Sequence, residues 1–274
     1  MKVYISVDME GVAGISDWDQ CIAGGDDYAL GRDLALGEVN AAIDGALEAG
    51  ATQILVNDSH SLMRNLPPGE LGGHASYLSG RFKPLYMMEG LDGSFDVALF
   101  LGYHAAMPTP GILSHTYNPR AFANVVLNGT VTGEAGINAL VAQHHGVPIA
   151  VITGDQYVGP EAAPYCPGID TIEVKTSISR YAAEHLHPHI AQQRIREGVY
   201  QSLSDPGAGP PVIHLPATLE VQLMSPDMAE QATWLRGIER VSSTTVRFAD
   251  DDPLHLYRTF MTLVFLTRSL VETR

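Results

Sequence analysis

Six side chains scattered over the first half of this 274-residue chain have the types and placement for metal chemistry. Asp8 and Glu10 stand in VDMEG, His60 closes NDSH, His104 closes GYH, and Glu134 follows the turn-forming LNGTVTG. Asp8 and Glu10 are two residues apart, so in extended backbone their carboxylates point to one face. Carboxylates joined by imidazoles, with no cysteine in the set, suit Zn²⁺, Mn²⁺ or Co²⁺ better than Mg²⁺ alone. Glu134 could complete the set with a third negative charge. One divalent ion would leave such a site anionic, whereas two would leave it near +1, a charge that a bridging hydroxide would neutralise. The count favours a dinuclear centre bridged by one carboxylate. His115, in the loop GILSHTYNP, says little by itself. Beside a metal centre it is a candidate general acid/base or substrate positioner.

Distant residues can meet only if the fold gathers them, and the hydropathy pattern supplies the means. Lys2–Asp8, Gln53–Val56, Asp96–Leu101 and Val147–Thr153 are short, nearly continuous apolar runs, the pattern of strands covered on both faces. A helical stretch, Tyr28–Ala49, follows the first, and a second helix is expected over Ala135–His145. Alternating strands and helices imply a doubly wound, mostly parallel sheet. Asp8, Glu10, His60 and His104 each fall just past a strand, at the carboxyl edge where such sheets place their sites. Asn128-Gly129 signals a hairpin.

Beyond Pro164 the pattern changes. A strand is expected near Ile172–Val174 and a long helix over Arg180–Leu203. After the loop Asp205–Pro211 come strand Val212–Leu223, helix Pro226–Trp234, strand Ile238–Phe248 and helix Pro253–Glu272. The expected organisation is an α/β metal-binding catalytic domain over residues 1–165 and a smaller α+β domain over 166–274. The division is discontinuous if the first domain borrows the strand near Ile172.

Composition narrows the function. Sixteen basic against 31 acidic residues give a net charge of −15, which opposes binding to nucleic acid or to an anionic membrane. No apolar run reaches the roughly 18 residues of a membrane span, and Asp8 and Glu10 interrupt the N-terminal stretch before it could serve as a signal peptide. Cys21 and Cys166 have no motif context and read as reduced and structural, in keeping with a cytoplasmic protein. His144 and His145 read as helix C-terminal residues, and the EHLHPHI histidines as a solvated helix face. No GxSxG, HExxH, P-loop or complete GxGxxG occurs.

SVDMEGVAGI, LVNDSHSLMRNL, MMEGLDGSFDVALFLGYHA, TPGILSHTYN, LNGTVTGEAGINA and KTSISR, in this order, resemble the D-aminopeptidase family of the DppA type, peptidase family M55. The likeness runs almost without break from Met1 to about Leu186 and is thinner around Ser243–Phe248. It implies two zinc ions per subunit, bridged by Asp8 and completed by Glu10, His60, His104 and Glu134. It places His115 at the family's active-site histidine, for which acid/base work or transition-state stabilisation is the better chemical fit. It further implies removal of N-terminal D-amino acids from short peptides by a metal-bound hydroxide, in a ring-shaped homo-oligomer for which a decamer is the suggested size. Two rival readings remain. Asp-x-Glu after the first strand is also like the opening of DEDD-type Mg²⁺ exonucleases, against which stand the charge and the two imidazoles. A non-catalytic peptide- or metal-binding protein would share the fold.

Overall fold

The computed structural model describes residues 1–271. The first part of the chain runs β1 (Lys2–Val7), α1 (Tyr28–Glu48), β2 (Gln53–Asp58), β3 (Ala75–Leu78), β4 (Val97–Leu101), β5 (Phe122–Leu127) and β6 (Thr130–Val131). Next come α2 (Glu134–His145), β7 (Ile149–Gly154), α3 (Val158–Ala162), β8 (Asp170–Glu173), β9 (Lys175–Ser179), β10 (Ala182–His185) and α4 (Pro188–Ser204). The chain closes with β11 (Ala217–Leu223), α5 (Pro226–Ala232), β12 (Glu239–Arg240), β13 (Thr245–Asp250) and α6 (Pro253–Thr267).

Six strands in the order β3-β2-β1-β4-β7-β8 form a wholly parallel sheet. Its central strands alternate faces as extended backbone must. Val3 and Ile5 enter a core with Val39 and Ala42 of α1 and Ile195 and Val199 of α4. Tyr4, on the opposite face, enters a core shared with α2, α6 and the second sheet. That sheet is antiparallel, in the order β12-β13-β11-β5-β6. Both sheets draw strands from both sides of residue 165: β5 and β6 belong to the second, and β8 completes the first.

The expected helix over Arg180–Leu203 is corrected at its start. β9 and β10 pair as a hairpin, the turn falls at Arg180 and Tyr181, and α4 begins only at Pro188. β-Branched Thr176 and Ile178 favour the strand, and Pro188 supplies a fixed φ where a first helical turn can use it. The expected strand Ile238–Phe248 is two strands, β12 and β13, because Ser242 Oγ accepts the backbone N–H groups of Thr244 and Thr245 and turns the chain. The expected strand from Val212 begins at Ala217. The expected end of the last helix, Glu272, lies outside the described residues. Among the described residues no helix is long and apolar enough to cross a membrane. Cys21 and Cys166 are buried and unbonded to each other.

Candidate metal centre

The sequence pattern brings the site together at the carboxyl ends of β1, β2 and β4. Asp8 follows β1 directly, and its N–H donates to Leu101 O of β4 at 2.8 Å. The next turn then crosses the end of β4 so closely that a side chain on Gly11 would lie 1.9 Å from Tyr103 O. Only glycine allows that approach, and it brings Glu10 back over the sheet edge beside Asp8. His60 follows β2, His104 follows β4, and Glu134 is the first residue of α2, on the sheet face that Tyr4 also occupies.

All five residues are buried, and so is His115. His60 Nδ1 lies 2.9 Å from Asp8 Oδ1 and 3.1 Å from Glu10 Oε2. His104 Nε2 lies 3.4 Å from Asp8 Oδ2 and 3.3 Å from Glu134 Oε1. Asp8 thus sits between two overlapping groups, Asp8–Glu10–His60 and Asp8–His104–Glu134, in each of which the ligand-type atoms lie within 4.8 Å of one another. A third such group is Glu10–His104–His115.

Whether these residues suit metal ions can be judged from their unspent valences. Asp8 Oδ2, Glu10 Oε2 and His104 Nε2 are buried and make no hydrogen bond, although native proteins rarely leave such atoms unpaired. The opposite side of each ring is tied down: His60 Nε2–H donates to Cys21 O at 2.9 Å, and His104 Nδ1–H to Ala105 O at 3.0 Å. A backbone carbonyl holding one ring nitrogen, so that the other faces a charge, is the usual support of a metal-binding histidine. Glu134 Oε1 accepts the Tyr117 N–H at 2.8 Å. The donor set is oxygen and imidazole nitrogen at borderline-hard positions, which suits zinc.

Without a cation, protons must balance the carboxylates. Burial would raise the Asp8 carboxyl, but His104 and His60 outweigh burial and hold it well below the usual carboxylate range. Burial would lower both imidazoles, yet the charge of Glu10 on His60 and of Glu134 on His104, with Asp8 beside both, raises them well above the ordinary histidine value. Burial raises Glu134, against the pull of His104. A bound cation would displace the imidazole protons. His115 behaves oppositely: burial first, then the His104 charge, drives its pKa well below the usual value. Its Nδ1–H donates to Leu113 O at 3.0 Å, its ring stacks on His104 at 4.1 Å between centroids, and its Nε2 lies 3.7 Å from Glu134 Oε1. Trp18 meets the His115 ring edge-on at 5.2 Å.

The supporting residues were largely silent in the sequence. Asp58 turns away from the centre: Oδ2 accepts Asn65 N and Leu66 N, and Oδ1 accepts Asn65 Nδ2, while the same Nδ2 donates to His60 O at 2.8 Å. Lys175, first in β9, donates from Nζ to Glu10 O, Val12 O and Ile15 O at 2.5, 2.9 and 2.8 Å. Glu38 Oε1 accepts Ala13 N, and burial pushes this carboxyl up to about 7. Asp155 after β7 accepts Ile112 N and Tyr157 N, fixing the loop that leads to His115. Glu161 accepts Ala106 N and Gly133 N, joining the His104 strand end to the start of α2. Asp155 and Lys175 also follow strands, as Asp8 and His104 do, but that position alone does not mark them as supports rather than ligands. His144 and His145 do end α2 before left-handed Gly146. The expectation for EHLHPHI is corrected: His185 lies in β10 and its Nδ1 accepts Gly14 N at 3.0 Å, while His187 caps α4.

Comparison with known proteins adds three matches. A family model described as D-aminopeptidase, Peptidase M55, matches residues 1–262. A D-aminopeptidase of Bacillus subtilis (strain 168) is 37% identical over 270 residues, 97% of either chain. A solved structure, the Zn-dependent D-aminopeptidase DppA from Bacillus subtilis, described as a self-compartmentalizing protease, superposes with a TM-score of 0.93 at 36% identity over 97% of both chains.

Proposed function

We propose a reaction on one premise, that the chain belongs to the D-aminopeptidase family and is a metallo-aminopeptidase: it releases N-terminal D-amino acids from short peptides at the acid–imidazole centre. The observation that carries this reading is the convergence of buried polar atoms without hydrogen bonds, Asp8 Oδ2, Glu10 Oε2 and His104 Nε2, within one acid–imidazole cluster. Glu10 and His60 would hold one zinc ion, His104 and Glu134 the other, with Asp8 shared. When bound, two such ions supply Lewis acidity at the scissile carbonyl and a water molecule acidic enough to react near neutral pH.

The chain's own residues supply the rest. The carbonyls of Cys21 and Ala105 orient the two ligand imidazoles, and the Tyr117 N–H orients Glu134. Trp18, which lines the cleft and packs edge-on against His115, would restrict water around the reacting amide. His115, kept neutral by burial and the nearby His104 charge, would accept at Nε2 the proton given up by the attacking water while Leu113 O holds Nδ1–H. It then returns that proton to the leaving amine, the usual sequence for a general base that becomes a general acid. The nuclease and non-catalytic readings gain nothing from the relatives. The self-compartmentalizing description of the relative supports an assembly that encloses its sites; a ring-shaped homo-oligomer of decamer size follows from the family resemblance, and a cytoplasmic location from the sequence.

The test pairs zinc analysis with hydrolysis of D-Ala-D-Ala and L-Ala-L-Ala. Two zinc ions per chain and turnover confined to the D-peptide are expected. Preference for the L-peptide, or full turnover after chelation, would overturn the reading.

A further inference from the structure

The cleft that opens onto Asp8, Glu10 and Glu134 is a cavity of about 390 Å³, and its mouth carries Arg81, Arg120 and Arg268. Three guanidinium groups on one cleft are unexpected in a chain with 16 basic and 31 acidic residues. Of the exposed arginines elsewhere, Arg196 faces Glu48, Arg240 faces Glu230, and Arg247 faces Glu220 and Glu239, whereas Arg64, Arg194, Arg236 and Arg258 stand apart from the described carboxylates on open surface rather than together on one cavity. Among the described residues no carboxylate lies within ion-pair distance of the three at the cleft.

Arg268 is nevertheless held in place. Its Nη2 donates to Tyr86 Oη at 2.9 Å, and its guanidinium lies 4.8 Å from the centre of the Phe265 ring and 5.8 Å from that of Tyr86. An arginine fixed by aromatic faces and one hydroxyl retains most of its five N–H donors for another partner. Tyr86 packs on Tyr117 at 5.9 Å, and the Tyr117 N–H donates to Glu134 Oε1. Tyr86 and Tyr117 therefore connect the basic mouth to the acid–imidazole floor of the same cavity. A volume of this size suits a small molecule or a peptide of a few residues. A role for Arg268 as a helix-end cation near the close of α6 would leave Arg81 and Arg120, which come from two other loops, without explanation.

The geometry points to a carboxylate-recognition subsite: Arg268, aided by Arg81 and Arg120, binds the C-terminal carboxylate of a short peptide whose N-terminal amide lies on the acid–imidazole floor. The fork of a guanidinium matches a carboxylate in two parallel hydrogen bonds. Such a grip sets the register of the substrate, since it draws the carboxylate to the mouth and leaves the amide at the floor. It also limits the enzyme to peptides short enough for both ends to fit. This subsite rests on the aminopeptidase reading above.

The experiment compares zinc-loaded protein on D-Ala-D-Ala and on its C-terminal amide. The unmodified protein should favour the free acid in kcat/KM by about 10- to 100-fold, the scale of a charge-assisted hydrogen-bond pair. Arg268→Gln should bring the acid-to-amide ratio near one, chiefly through KM for the acid. Arg268→Lys, which keeps the charge but not the fork, should restore part of it, and Arg81→Gln and Arg120→Gln should each lower the ratio by a smaller factor. Equal use of acid and amide by the unmodified protein, or an equal loss on both in Arg268→Gln, would overturn the subsite while leaving the aminopeptidase reading intact. Hydrolysis of neither substrate would remove both.

Discussion

The carboxyl edge of the parallel sheet has two halves that are equally buried and spend their polar groups in opposite ways. At β1, β2 and β4, Asp8, His60 and His104 turn toward one another, and Asp8 Oδ2 and His104 Nε2 make no hydrogen bond. At β7 and β8, Asp155 and Lys175 are just as deeply buried, but Lys175 commits all three N–H donors to the loop 10–15 and Asp155 holds two backbone N–H groups. An unpaired buried polar atom costs about 1–3 kcal/mol. A fold retains several together only where something else offsets the cost, and here bound metal would. Burial and position at a strand end therefore do not separate ligand from scaffold. The hydrogen-bond inventory does set Asp8, Glu10 and His104 apart from Asp155 and Lys175, although Glu38 Oε2, in the supporting set, is also buried without a partner.

The contrast breaks most sharply if the unbonded half is not the metal-holding half. His60→Ala and Glu134→Ala should each remove zinc and activity together. The loss of turnover should exceed about 10³-fold, since the centre is asked for several kcal/mol of transition-state stabilisation. Zinc analysis of the purified variants decides it, and full zinc content in either would take that residue out of the ligand set. His115 sits at the boundary of the two halves, with Nδ1 committed to Leu113 O and Nε2 unspent. His115→Ala should keep its zinc and lose turnover by about 10²- to 10⁴-fold, the range of general acid–base catalysis. Unchanged turnover would remove it from proton transfer.

A change in the saturated half should act at a distance and more weakly. Lys175→Met retains length and loses the three donors that pin the carbonyls of Glu10, Val12 and Ile15. Zinc affinity should fall about 10- to 100-fold, as when the support of a metal ligand is removed, while the residual metal still sits on an intact ligand set. Competition against a chelator measures it. An affinity equal to that of the unmodified protein would mean that the loop holds Glu10 in place unaided.

The unsaturated half was legible in the sequence because its signals are local. An apolar, β-branched run followed at once by Asp, His or Gly-Tyr-His marks a strand end, and the parallel order then gathers those ends without further information. The saturated half was not legible in that way. Lys175 has meaning only through three carbonyls some 160 residues away in the chain. The pairing of β5 with β11 is equally non-local, since nothing near Val125 announces Val221 as its partner. The β9–β10 hairpin was missed because its strands are short and lie beside a strongly helical segment. Arg81, Arg120 and Arg268, each exposed and each in a different segment, carry no sequence signal until the cavity places them on one rim.

The smallest effect expected concerns the rear support of the glycine loop. The half-buried His185 accepts Gly14 N at Nδ1, and burial first, then the Lys175 charge, lowers its pKa to about 4. A lowered imidazole pKa means that the unfolded chain binds a proton on this ring between pH ~6.5 and ~4 while the folded chain does not. The folded state accordingly loses stability as pH falls through that window, and above pH ~6.5 the group has no effect. Because the ring is partly in contact with solvent, its share should stay below about 1 kcal/mol. His185→Gln retains an acceptor for Gly14 and cannot titrate. Its stability relative to the unmodified protein should therefore improve between pH 7 and pH 4.5, as read from urea midpoints at the two pH values. A relative stability independent of pH would show that burial and the Lys175 charge do not keep His185 neutral in the folded protein.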